Sequence, residues 1–167
     1  MFIPFASLPD HSRLWIYQSN RKFTSEDIAI ISDALSSFTN QWSAHGTPLK
    51  TSFDIKLDQF IVIAADEKYV PASGCSIDGA VRIIKDLGQH LGIDFFDRTE
   101  IAFYLDERVT IIPMNALKKH FSDGVLDHES RLINLLVGSK AELENGFVVP
   151  ASATWLKRYL PAQNVAG

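Results

Sequence analysis

Apolar positions along the chain change period several times, and each change marks an element. Arg13-Leu14-Trp15-Ile16-Tyr17 is rich in branched and aromatic side chains and reads as a strand, ended by the turn chemistry of Ser19-Asn20-Arg21. Thr24 with Asp27 three residues on has the spacing of a capping box. Ile28, Ile31, Leu35 and Phe38 then recur at helical spacing, Trp42 extends the stripe, and Gly46 and Pro48 stop the helix. From Leu49 to Leu57, Phe53, Ile55 and Leu57 alternate with Ser52, Asp54 and Lys56, the pattern of a half-buried strand. Asp58-Gln59 supplies a tight turn, and Phe60-Ile61-Val62-Ile63-Ala64 is apolar on both faces, as in the middle of a sheet.

A polar loop from Asp66 to Gly74 leads to a second helix from about Ser76, with Ile77, Val81, Ile84 and Leu87 as its core stripe and Gly88 and Gly92 weakening its end. Ile101 to Leu105 and Arg108 to Ile112 read as strands of a hairpin whose turn, Asp106-Glu107, lacks the favoured Asn or Gly. Asn115 to Phe121 reads as a short helix, and Arg131 to Val137 is ambiguous between helix and strand. Ser152 caps a last helix through Trp155, Leu156 and Leu160.

In order, residues 12–105 give strand, helix, strand, strand, helix, strand. That succession predicts an α+β fold with a ferredoxin-like βαββαβ core, an antiparallel sheet carrying helices on one face. Residues 114–167 add helices around it, and the strand after residue 105 adds to one sheet edge. The open face of such a sheet needs a cover. Either the C-terminal third supplies it, or a second copy does, as a homodimer through the sheet.

The composition fits one soluble domain over residues 1–167, with its core at about 12–113 and an extension over 114–167. At 167 residues and 46% hydrophobic, the chain is long enough to bury roughly 70% of the surface its unfolded form exposes, without a metal or disulfide. One cysteine suits a reducing compartment, and with no spanning run or leader pattern near the start the expected location is cytoplasmic. Twenty acids against 16 Lys plus Arg give a formal charge of −4 and no basic stripe, which argues against a nucleic-acid partner. The five histidines lack metal-ligand spacing, so neither a metal nor another cofactor is expected, and no membrane partner.

Candidate chemistry concentrates in Ala72-Ser73-Gly74-Cys75-Ser76-Ile77-Asp78-Gly79, where a strand passes through a loop into a helix. Backbone N–H groups and the helix dipole there favour an anion or a thiolate, so Ser73, Gly74, Cys75 and Ser76 form a candidate anion site. Free cysteines more often pack as small hydrophobes, which is the plainer reading of Cys75. Gly74 and Gly79 have the glycine spacing of a P-loop, but Ala80 and Val81 stand where its Lys and Ser or Thr are required. The expected topology brings His11, Trp42, His45, Asp66, Glu67, Cys75, Ser76, Asp78, Asp106, Glu107 and Arg108 to one sheet edge. Cys75, His45 and Asp66 there make a candidate thiol, imidazole and carboxylate set. At the opposite edge Arg21, near Asp94, Asp97 and Arg98, is a candidate carboxylate or phosphate ligand, or else part of a structural ion-pair set. Trp15, Tyr17, Phe60, Phe95, Phe96 and Phe103 read as core.

Arg13 to Arg21, Ser73 to Asp78 and Phe95-Phe96-Asp97-Arg98 together resemble a family of small uncharacterised bacterial proteins, some of whose members are labelled ABC transporter ATPases. That label implies nucleotide hydrolysis, from which this chain departs at Ala80 and Val81. With no complete catalytic motif, the sequence favours a non-catalytic domain that binds a small molecule or a protein. The alternative is a thiol-dependent enzyme or redox-responsive protein using Cys75.

Overall fold

The computed structural model describes residues 1–161. In chain order its elements are β1 (Arg13–Gln18), α1 (Ser25–Gln41), β2 (Ser43–Ala44), β3 (Thr47–Pro48), β4 (Lys50–Lys56), β5 (Phe60–Asp66) and α2 (Gly74–Leu91). They continue as β6 (Glu100–Leu105), β7 (Arg108–Pro113), α3 (Leu117–Ser122), β8 (Arg131–Ile133), α4 (Lys140–Gly146) and β9 (Val148–Pro150). Strands and helices are mixed and the sheets are antiparallel, an α+β arrangement. Packing groups the residues into two compact units, 1–96 with 135–145, and 97–134 with those from 146 on. The division falls after Phe96 rather than after residue 113.

In the first unit β5 is the central strand, antiparallel to β1 on one side and β4 on the other. All seven of its residues are buried, as a strand apolar on both faces requires. One face receives α1 and α2: Ile31 and Leu35 from the first helix and Ala80, Ile84 and Leu87 from the second pack with Ile61, Ile63 and Ala65. Each fully buried Leu or Ile contributes roughly 1.5–3 kcal/mol of transfer free energy. Phe60, Val62 and Ala64, on the other face, are also fully buried within the single chain, so the middle of that face is already covered. A homodimer through the sheet gains no support from this face. The outer edge of β1 meets residues 138–140, where Leu14 N–H donates to Gly138 O (3.0 Å) and Lys140 N–H to Ser12 O (2.9 Å).

The strand expected to complete the ferredoxin-like sheet is β6, and it hydrogen-bonds to β7 and β8 instead of β1. With β9 these form the four-stranded sheet of the second unit, in the order β7-β6-β8-β9. Phe103, Ile112, Leu117, Phe121, Leu126, Leu132 and Leu156 make its core.

Several boundaries differ from the sequence reading for local reasons. Gly46 does not stop a helix; α1 ends at Gln41, and His45-Gly46 turns the small β2–β3 hairpin, both with positive φ. The β4–β5 turn is made by Leu57 and Asp58, also at positive φ, rather than by Asp58-Gln59. Helix α2 starts at Gly74, because Ser73 and Ser76 form a capping box. Gly88 stays inside this helix, and Gly92 closes it in the left-handed conformation. Only residues 131–133 of the ambiguous stretch are strand. The expected last helix is a pair of 3-10 turns, Ala151–Ala153 and Trp155–Tyr159, the second capped by Thr154 rather than Ser152. Of the aromatics read as core, Tyr17, Phe60, Phe95 and Phe103 are buried, whereas Phe96 is 39% exposed and packs edge-on to Tyr17.

Candidate functional site

The end of α1 and the start of α2 enclose a depression of about 440 Å³ in the first unit. Its α1 side is Phe38, Gln41, Trp42, Ser43 and His45; its α2 side is Ser73, Cys75, Ser76 and Gly79. Trp42 is buried and fixed from several directions. Its ring packs on Phe38 (5.2 Å between centroids) and edge-on to Trp15 (5.5 Å), and its indole N–H donates to Ser76 O at 2.8 Å. That last bond ties the end of one helix to the first turn of the other. At Gly79 a Cβ would make only an ordinary van der Waals contact with the Phe38 ring, at 3.7 Å.

The first turn of α2 is organised by its own serines. Ser73 Oγ accepts from the Ser76 N–H (3.2 Å), Ser76 Oγ accepts from the Ser73 N–H (3.1 Å), and the two hydroxyls are 2.6 Å apart. Both hydroxyls are therefore committed to capping, which leaves the backbone of Gly74 and Cys75 as the donors a helix start presents outward. Cys75 is exposed and its thiol is free. The plainer expectation, a cysteine packed as a small hydrophobe, is overturned: position two of the helix faces away from the core stripe of Ala80, Ile84 and Leu87.

His45 and Cys75 share this depression, as the sequence reading expected. Asp66 does not join them. Its carboxylate accepts from His11 Nε2 (2.9 Å) and from the Lys68 N–H (3.0 Å) at the end of β5. Burial pushes its pKa up, but the Lys68 amide and then His11 outweigh this and hold it below the ordinary carboxylate value. Glu67 caps the following loop, accepting from the Ala72 N–H at 2.8 Å. Asp106, Glu107 and Arg108 lie at the β6–β7 turn of the second unit.

Arg21 is tied into the fold, with its side chain still 40% exposed. It pairs with Asp27, at the first turn of α1, and donates to Leu91 O (3.0 Å) at the far end of α2. An 18-residue helix spans about 27 Å, so the guanidinium and the depression lie at opposite ends of α2. Asp27, held by Arg21 and by the Thr24 amide, has its pKa lowered to about 2. The expected partners Asp94 and Asp97 instead cap their own turns, accepting from the Phe96 and Thr99 N–H groups.

Phe38, Gln41 and Ser43 are lining residues that sequence reasoning missed, whereas Gly79 stands out in the sequence for its P-loop spacing with Gly74. Phe38 was readable only as part of the core stripe, and the signal for Ser43 lay in the hairpin hidden between Gly46 and Pro48. Among the described residues no group of three or more His, Cys, Asp or Glu could hold a metal ion, and no helix is long and apolar enough to cross a membrane. No protein-family model, curated protein or solved structure matches this chain.

Proposed function

We propose that the protein is a non-catalytic binding domain whose ligand is a small molecule held in the depression between α1 and α2. The observation that carries this is the depression itself. Its volume of about 440 Å³ falls in the range of small-molecule sites, with an aromatic wall of Phe38 and Trp42 facing a helix start. The residues suit a planar group stacked on the aromatic side with an anionic or carbonyl oxygen toward the Gly74 and Cys75 amides. Nucleotide hydrolysis, implied by the label of some members of the family that three stretches of this chain resemble, lacks its Lys and its magnesium-binding hydroxyl at Ala80 and Val81. The order β1-β5-β4 with both helices on one face supports reading the first unit as the larger part of a ferredoxin-like arrangement.

A fragment library screened by amide chemical shifts tests the reading. Hits should move the amides of residues 73–79 and the Trp42 indole N–H together. Gly79→Leu, which fills the depression from an α-helical position, should abolish those shifts while the protein stays folded. No hit at these residues, or hits indifferent to Gly79→Leu, would overturn the reading.

The exposure of Cys75 on the same depression as His45 favours one second reading, a thiol-dependent activity with His45 as base. Its signature is an alkylation rate of Cys75 that falls in His45→Asn. An unchanged rate dismisses it.

A further inference from the structure

The outer strands of a sheet present backbone groups that water or another strand must satisfy. In the first unit both outer strands are met from within the chain. Ile3 N–H donates to Thr51 O on β4 (2.9 Å), and Leu14 N–H on β1 donates to Gly138 O (3.0 Å). The second sheet ends on the three-residue β9 at one side and on the six-residue β7 at the other. The phase of β7 on β6 is fixed by the two-residue turn and by Met114 N–H, which donates to Thr99 O (2.7 Å). Arg108, Thr110 and Ile112 therefore exchange backbone bonds with β6, while the N–H and C=O groups of Val109 and Ile111 point away from it. Among the described residues no other segment bonds to these four groups.

We infer that β7 is the contact between two copies of this chain, which pair antiparallel about Thr110 and join their four-stranded sheets edge to edge.

The strand is complementary to itself. With the two-fold axis at Thr110, Val109 of each copy faces Ile111 of the other, and all the outward N–H and C=O groups of both residues find partners. Moving the axis to Ile111 sets Val109 against Pro113, which has no N–H to return. Moving it to Val109 sets Ile111 against Glu107, whose left-handed backbone ends the ladder. About Thr110, branched side chains also meet branched ones, Val on Ile and Thr on Thr, which are favourable cross-strand neighbours. Val109 and Ile111 are half-buried and Thr110 is exposed, so the single chain leaves room beside all three. The usual devices that refuse a second strand are a central charge, a central Pro or a bulge. None stands between Val109 and Ile112, and the register on β6 is unbroken. Arg108 faces Ile112 in this pairing, which keeps the two guanidinium groups apart. The contact lies at a strand edge, away from the sheet face that the sequence marks for a dimer, and it does not depend on the binding reading.

Sedimentation velocity of the full chain from about 10 μM to about 1 mM tests the inference. The wild type should move from monomer toward dimer as concentration rises. Thr110→Lys sets like charges against each other across the axis, at a non-hydrogen-bonded pair where side chains come closest. It should weaken association about tenfold or more, with an unchanged circular dichroism spectrum because Thr110 is exposed. Thr110→Glu alone should do the same, and an equal mixture of the two variants should recover a dimer. The inference is overturned by a wild type that stays monomeric over the whole range, by a dimer indifferent to both substitutions, or by a mixture no more associated than its parts.

Discussion

At the residue scale, the turns carry costs that the rest of the fold absorbs. Leu57, Asp58, Asp106 and Glu107 sit at φ of 53°, 51°, 49° and 61°, the left-handed region where a Cβ crowds the following carbonyl. A non-glycine residue there costs about 1–2 kcal/mol. Glu107 is exposed at the tip of the β6–β7 hairpin, so its side chain contributes little in return. Glu107→Gly should therefore stabilise the protein by about 0.5–1 kcal/mol, the relief exceeding the added freedom of the unfolded chain. Denaturant titration should show a higher midpoint with an unchanged slope. The hairpin was legible from its flanking strands in spite of this turn: alternating Ile101, Phe103 and Leu105 against Val109 and Ile111 left little else for Asp106-Glu107 to do. In the same way, the cost at Leu57 and Asp58 hid which residues turn, and the sequence pointed one position too late.

At the element scale, α2 shows how a correct element can be read for incomplete reasons. Its core stripe was legible in part: of the expected Ile77, Val81, Ile84 and Leu87, the last two are buried in the core with Ala80, while Ile77 and Val81 are half-buried. Its start was not legible. A capping box normally shows Glu or Gln at its fourth position, and here Ser76 does that work for Ser73. Ser73→Ala should cost about 1 kcal/mol in chemical denaturation, and should also release the Ser76 hydroxyl beside the depression. Gly88 reads as a weak point by propensity, and Ala would ordinarily improve a helix interior by about 1 kcal/mol. The packing reverses that sign: a Cβ at Gly88 would come within 2.5 Å of Ile93 O, on the chain returning past the Gly92 cap. Gly88→Ala should therefore lower the thermal midpoint, and a rise would show that residues 92–95 move aside at no cost. For the site, the expected edge brought Trp42, His45, Cys75 and Ser76 together correctly, since it depended only on α1, α2 and β5. Asp66 was misassigned because sequence position at a strand end says nothing about which neighbour claims a carboxylate, and His11 and Lys68 claim it first.

At the scale of the whole molecule, the fourth strand of the expected sheet was lost for a topological reason. A strand capable of pairing with β1 pairs equally well with β7 across a two-residue turn, and the local partner, with β8 beyond it, carries β6 into a second sheet. What the molecule shares across its length is a dependence on ionised acids. Asp27, Asp66 and Asp97 all titrate below the ordinary value, Asp27 by the Arg21 pair and the Thr24 amide, Asp97 by the Thr99 hydroxyl and amide. A carboxyl depressed in the folded state contributes stability that is complete above its unfolded value, about 3.9, and that is lost as pH falls through the folded one. For Asp27 the window runs from about 4 to about 2, and its contribution is about 1–2 kcal/mol once the partial exposure of Arg21 is allowed for. Asp27→Asn keeps an oxygen to accept the Thr24 N–H but removes the charge that Arg21 answers. Its stability should therefore fall by about that amount at pH 7, and the gap to the wild type should shrink from about pH 4 downward and close below about pH 2, once the wild-type carboxyl has taken up its proton. Urea denaturation at several pH values measures both ends. Parallel curves down to pH 2 would mean that Asp27 acts through its shape at the start of α1 and not through its charge.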